Sequence, residues 1–153
     1  MQFHSILVVC EGNICRSPVA AALLARGLPE HQVGSAGLGA LVGQEIDATA
    51  REVAQINGLI CPPHQARQIN PALCDQADVI LVMDAGQRQR LRQSQPQASG
   101  KTLLLGQWLG ENQAQCEIAD PYRRSREFHE EIFQQIDRAS REWIKRLAGD
   151  NSQ

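Results

Sequence analysis

The sequence predicts an α/β fold in three layers, α/β/α, built on a four-stranded parallel sheet. Three observations lead there. Ile6-Leu7-Val8-Val9 and Val79-Ile80-Leu81-Val82-Met83 are unbroken apolar runs of strand length, the pattern of strands covered on both faces. Around such runs the pattern changes to helical periodicity, so strand and helix alternate along the chain. The composition is that of an ordinary globular chain, with 153 residues, 42% hydrophobic and 21% charged.

The first strand is read at residues 5–9, where Ile6 to Val9 are apolar without a break. It gives way to Cys10-Glu11-Gly12-Asn13-Ile14-Cys15-Arg16-Ser17-Pro18, a loop leading into a helix through residue 26. Ser17 reads as the N-cap of that helix, with Pro18 at its first turn and Gly27 and Pro29 as its stop. A short strand at residues 32–36 runs into Gly37-Leu38-Gly39-Ala40. A helix at 47–57 closes on Gly58 and Pro62-Pro63, and a helical turn at 70–75 leads to the third strand at 77–83. Residues 85–93 read as a polar, arginine-rich helix and 101–105 as the fourth strand, followed by a loop at 111–124. The last element is an amphipathic helix at 126–147, with Phe128, Ile132, Phe133, Ile136, Trp143, Ile144 and Leu147 as its apolar stripe. One domain is expected over residues 1–150, with 151–153 as a frayed tail.

Bulk properties exclude several classes. A formal charge of −2 gives no basic footprint for nucleic acid. No run approaches the roughly 20 apolar residues of a membrane span, so no membrane insertion is expected. Residues 1–10 lack the basic leader and long apolar run of a signal peptide, which points to the cytoplasm. The five cysteines are an odd number in a chain large enough to need no staples, as in a reducing compartment. They form no pair of Cys-x-x-Cys units, and no metal or cofactor site is expected.

In a doubly covered parallel sheet, ligands sit beyond the C-terminal strand ends. Cys10 falls at such an end. The loop after it can turn its backbone N–H groups onto one point, in front of the positive end of the helix that follows. The amides of Glu11, Gly12, Asn13, Ile14 and Cys15 would then cradle an anion, and the planar fork of Arg16 matches two phosphate oxygens. The same field lowers a thiol pKa, which readies Cys10 as a nucleophile. Gly12 and Asn13 are the residues that tolerate unusual backbone angles. Taken singly, Cys10 reads as a small buried residue and Arg16 as a surface charge. Together, at a strand–loop–helix junction, they read as chemistry.

This stretch, Val9-Cys10-Glu11-Gly12-Asn13-Ile14-Cys15-Arg16-Ser17-Pro18, resembles the signature of the low-molecular-weight protein tyrosine phosphatases. The resemblance continues through Gly34-Ser35-Ala36-Gly37, His64-Gln65-Ala66-Arg67-Gln68, Val82-Met83-Asp84 and Asp120-Pro121-Tyr122. It implies a four-stranded parallel sheet with a phosphate-binding loop after the first strand. It also implies phosphotyrosine hydrolysis, with the Cys10 thiolate attacking phosphorus to form a cysteinyl-phosphate. Arg16 and the loop amides would stabilise the transition state, Ser17 would donate to the sulfur, and Asp120 would act as general acid and then base. Asn13, Ser35 and His64 match positions that brace the loop. Leu38 and Tyr122 are expected to wall the groove that takes the aryl ring.

Cys15, five positions after Cys10, reads equally as a packing residue or as a redox partner of Cys10. Tyr122-Arg123 stands where eukaryotic members tend to carry two tyrosines. The resemblance is therefore to the bacterial branch associated with exopolysaccharide export, whose partners are tyrosine autokinases with tyrosine-rich tails. Arg123, Arg124 and Arg126 could attract such an acidic tail, or simply solvate the helix start. One rival is a thiol-dependent arsenate reductase, but residues 83–95 carry no cysteine to relay electrons to Cys10. Another is a phosphocysteine phosphocarrier, which would have no use for a leaving-group acid such as Asp120. A third, a non-catalytic anion-binding module, would need no nucleophile beside Arg16.

Overall fold

The computed structural model describes residues 3–151. β1 (Ser5–Cys10) leads into α1 (Arg16–Gly27) and β2 (Gln32–Gly37), and then α2 (Ala48–Ile56) and α3 (Pro71–Gln76) precede β3 (Val79–Val82). α4 (Ala85–Ser94) and a 3₁₀ turn (Pro96–Lys101) lead to β4 (Thr102–Leu104), followed by α5 (Gln113–Cys116) and α6 (Arg126–Asn151). The four strands form one sheet in the order β2-β1-β3-β4, with every pair parallel. The chain leaves β1 outward to β2 and then returns to β3 on the other side. The C-terminal ends of β1 and β3 therefore flank the switch in strand order, where such sheets place their ligands. Cys10 is the last residue of β1.

Alternation along β1 sorts its side chains into two cores. Ile6, Val8 and Cys10 face the larger one, filled by α1, α2 and α6, while Leu7 and Val9 face a smaller one under α3 and α4. α6 contributes Ile132, Phe133, Ile136, Trp143 and Leu147 to the larger core, all buried. Burial of such side chains stabilises by about 1.5–3 kcal/mol each. The indole of Trp143 also donates to Leu105 O at 2.8 Å, so its polar atom is not stranded.

Several element boundaries differ from the sequence reading, each for a local reason. α1 starts at Arg16, two residues earlier than Ser17-Pro18 suggests, and its N-cap is Cys15, which makes no side-chain capping bond. Ser17 is not the cap, because its hydroxyl is engaged inside the loop. β3 begins at Val79 because Asp78 is used otherwise: its carboxylate accepts from His4 N at 2.8 Å and Ser5 N at 2.9 Å, tying the start of β1. Residues 113–116, expected as loop, form the short helix α5, held by a capping box between Asn112 and Gln115. α6 runs on to Asn151, past the expected end at 147, so the expected frayed tail loses its first residue to the helix. The rest of that tail lies outside the described residues.

Candidate active site

The loop between β1 and α1 is shaped by what holds its carbonyls. Cys10 O accepts from Leu38 N at 3.0 Å, Glu11 O from Gly39 N at 2.9 Å and Gly12 O from Leu41 N at 3.0 Å. Asn13 O lies 2.6 Å from His64 Nε2, and Ile14 O accepts from Asp47 N at 2.8 Å. In a trans peptide the N–H of the next residue points opposite to the C=O. Five carbonyls drawn outward therefore turn the N–H groups of Glu11 through Cys15 inward, toward the mouth of α1. That is an anion cradle built from backbone. Gly37 permits the outward bonds: a Cβ there would stand 2.6 Å from Glu11 O.

Asn13 is the keystone beneath the loop. It is fully buried with φ of 61°, a left-handed angle that Asn tolerates better than most residues. Its Nδ2 donates to Ser17 Oγ at 2.8 Å and Ser35 Oγ at 2.9 Å, and its Oδ1 accepts from Arg67 N at 2.9 Å. Ser17 Oγ in turn lies 2.9 Å from Cys10 Sγ. Since Asn13 already donates to that oxygen, the serine proton is free to point at the sulfur. His64 is oriented through its backbone, whose N–H donates to Glu45 at 3.0 Å. Bonds from Ile46 N and His64 N, with Arg51 beside them, hold the Glu45 carboxyl below its ordinary pKa.

Arg16 is 3% exposed and donates through Nη1 to Ile118 O at 2.7 Å. Its Nε is buried and has no acceptor among the described residues, a donor of the kind an oxyanion satisfies. Arg16 Nη2 lies 3.7 Å from Asp120 Oδ2, across the cleft from the loop. Asp120 is half exposed, and its other oxygen accepts from Tyr122 N at 3.0 Å.

These groups face one cleft of about 190 Å³, lined by Cys10, Glu11, Gly12, Ile14, Cys15, Arg16, Asp120 and Tyr122 together with Gly39 and Leu41. The structure thus brings together most of the residues singled out from sequence. Asn13, Ser17, Ser35 and His64 stand behind the cleft and hold its wall. Leu38 does not line it: its side chain packs on the smaller core with Leu7 and Val9. The reason is the turn at 38–40, which aims Leu38 inward and leaves Leu41 to pack with Ile14 and Tyr122 at the cleft. No periodic signal in the sequence marks Leu41. Sequence reasoning also missed the roles of Arg67, whose Nε donates to Ser35 O at 2.8 Å, and of Arg90, which forks onto the Glu11 carboxylate. Both are contacts between residues distant in the chain.

Cys15 is buried, and burial first, with Asp47, Asp120 and Cys10 adding to it, pushes its thiol well above the ordinary value against the opposing pull of Arg16. Cys15 packs with Ile14 and Ala66. All five cysteines are free and buried, and of these only Cys10 and Cys15 line the cleft. The basic cluster before α6 is largely occupied: Arg126 pairs with Glu52 at 2.8 Å, while Arg123 and Arg124 lie over the rings of Tyr122 and Phe128. Among the described residues no group of three or more His, Cys, Asp or Glu is placed to hold a metal ion. No helix among them is long and apolar enough to cross a membrane.

Comparison with known proteins gives a consistent result. Residues 5–153 match the family model of low molecular weight phosphotyrosine protein phosphatases. The chain is 48% identical over 145 residues to the low molecular weight protein-tyrosine-phosphatase Wzb of Escherichia coli K12, covering 95% of this chain and 96% of that one. It is 43% identical over 148 residues to the phosphatase Etp of the same organism, covering 97% of both. Its fold superposes on Vibrio vulnificus Wzb in complex with benzylphosphonate with a TM-score of 0.89 at 46% identity, over 95% of this chain and 99% of that one.

Proposed function

This chain belongs to the low molecular weight phosphotyrosine protein phosphatases, and from that membership we propose that it hydrolyses phosphotyrosine in proteins with Cys10 as nucleophile, Arg16 as phosphate clamp and Asp120 as general acid. The observation that carries the assignment is one cleft in which a sulfur, five inward amides and a tethered arginine face a half-exposed carboxyl group.

In the first step the Cys10 Sγ–P bond forms as the bond from phosphorus to the aryl oxygen breaks. Asp120 gives its proton to the leaving oxygen, so a neutral phenol departs. In the second step water attacks phosphorus, the S–P bond breaks and Asp120 takes the proton of the water. Inorganic phosphate leaves and Cys10 returns as thiolate. Throughout, the cradle amides and Arg16 hold the equatorial oxygens, and because Arg16 is tethered to Ile118 O its fork needs little reorganisation. The Ser17 hydroxyl, directed at Sγ, stabilises the thiolate as it leaves phosphorus. Ile14, Leu41 and Tyr122 give an apolar wall suited to a flat aromatic ring.

The partner is a phosphotyrosine protein. The resemblance to the bacterial branch supports a cytoplasmic tyrosine autokinase tail, and through it the control of exopolysaccharide production. The test is steady-state hydrolysis of p-nitrophenyl phosphate and of a phosphotyrosine peptide in metal-free buffer, with acid quench to trap phosphocysteine. Many turnovers with a phosphocysteine that disappears in Cys10→Ser are expected. A single stoichiometric phosphorylation without turnover would replace the enzyme by a phosphocarrier, and arsenate-dependent thiol oxidation would replace it by a reductase.

A further inference from the structure

α4 carries three arginines, Arg88, Arg90 and Arg92, and the structure divides them. Arg90 leans to one flank and forks onto Glu11 in the wall of the cleft, where Gly39 leaves the room: a Cβ on Gly39 would stand 2.6 Å from the Glu11 carboxylate. Arg88 and Arg92 are one helical turn apart on the opposite flank, given 100° per residue and the inward face set by the buried Gln87 and Leu91. Neither has an ion-pair partner among the described residues, and the Nε of each is buried without an acceptor. The acids at the start of α4 do not serve them. Asp84 accepts from Gln87 N at 2.7 Å, and Glu117 accepts from Ala85 N at 2.9 Å. Arg88 and Arg92 instead repel each other, like charges at i and i+4 on a helix.

Two neighbouring guanidinium groups, each with an unpaired Nε and neither with a counter-charge among the described residues, form half of an anion site. We propose that Arg88 and Arg92 form an accessory oxyanion subsite that holds a second acidic group of the substrate chain while its phosphotyrosine occupies the cleft. The reach is right. Arg90 puts α4 at the cleft wall, and the far flank lies about one helix diameter, roughly 10 Å, away. An extended segment covers that in about three to five residues at roughly 3.3 Å each. A second phosphotyrosine and a glutamate offer the same oxyanion chemistry, with the dianionic phosphate held more tightly. The inference rests on the protein-phosphotyrosine reading above.

The experiment compares the unmodified enzyme with the Arg88→Gln/Arg92→Gln variant on phosphotyrosine peptides. Each peptide carries phosphotyrosine, glutamate or plain tyrosine four residues before or after the scissile phosphotyrosine. In the unmodified enzyme the doubly phosphorylated peptide is expected to show the lowest KM. In the variant that KM should rise about tenfold, the glutamate peptide's about two- to threefold and the plain peptide's not at all, with kcat unchanged. A variant that raises all KM values equally, or none, overturns the subsite while leaving the phosphatase reading intact. An unmodified enzyme that hydrolyses p-nitrophenyl phosphate but no phosphotyrosine peptide overturns both.

Discussion

The two sides of the cleft are built in opposite ways. On one side, the loop from Cys10 to Ser17 has its carbonyls drawn outward by partners from three other segments, at residues 38–41, Asp47 and His64, and a fully buried asparagine beneath it. On the other, the segment bearing Asp120 has its backbone hydrogen bonds to the rest of the fold at its root, while its tip is held by the Arg16–Asp120 pair and by Tyr122 packing near Ile14 and Leu41. At the root Ile118 N donates to Met83 O at 3.0 Å and Ile118 O accepts from Arg16, while at the tip Tyr122 N donates to Asp120 and Arg124 N to Pro121 O. On the mechanism proposed above, the difference follows from the two tasks. Stabilising a developing charge requires dipoles already in place, since any reorganisation subtracts from the effect. Delivering a proton and admitting a bulky aryl group requires exposure and some freedom, and Asp120 is 47% exposed.

The comparison can be broken most directly at the sulfur. Cys10→Ser preserves the packing and should lower kcat by on the order of 10⁴-fold or more, with an unchanged unfolding midpoint. Asp120→Ala should lower kcat on phosphotyrosine peptides by roughly 10²–10³-fold, but much less on an aryl phosphate whose leaving group needs no proton. Its stability should stay within about 0.5 kcal/mol of the parent, as expected for an exposed site. A large stability loss in Asp120→Ala would show that the acid side is also a brace, and the contrast would fail.

Asn13→Ala sharpens the same contrast from the rigid side. It strands Ser17, Ser35 and Arg67 N and forces alanine into a left-handed angle. A loss of about 3 kcal/mol is expected, roughly 10 °C in Tm, together with reduced turnover. Asn13→Gly, which accepts the angle, should recover about 1 kcal/mol of stability and none of the hydrogen bonds.

The smallest effect concerns Cys15. Its pKa is raised in the folded state, so above its ordinary value near 9.0 the unfolded chain binds fewer protons than the native one. The stabilising contribution is complete below that pH and is lost as pH rises, by up to about 1.4 kcal/mol per pH unit. Urea unfolding from pH 8 to 10 should show this slope, and Cys15→Ala should flatten it. An unchanged slope in the variant would mean that the thiol is not held protonated.

Much of this arrangement was legible in the sequence because it is local. Cys10, Arg16 and the amides between them lie within one loop, and their spacing alone suggests an anion cradle. The apolar runs of β1 and β3 state their burial directly, since a strand covered on both faces has no polar positions to confuse the pattern. The start of α1 misled because Ser17-Pro18 looks like a cap, and the serine hydroxyl had a stronger use three-dimensionally, between Cys10 and Asn13. Leu38 misled because side-chain direction in a turn is set by backbone angles that composition does not report.

By itself, then, the sequence determined the layered α/β fold, the position of Cys10 at a strand end and the chemical class of the loop, all properties of hydrophobic period and short spacing. Only the tertiary structure decided which leucine walls the cleft, that Arg67 and Glu45 hold the bracing residues, and that Arg90 is engaged while Arg88 and Arg92 are not. Those choices depend on contacts between residues tens of positions apart. Their partners are selected by how strands and helices pack, and a one-dimensional pattern carries no record of that.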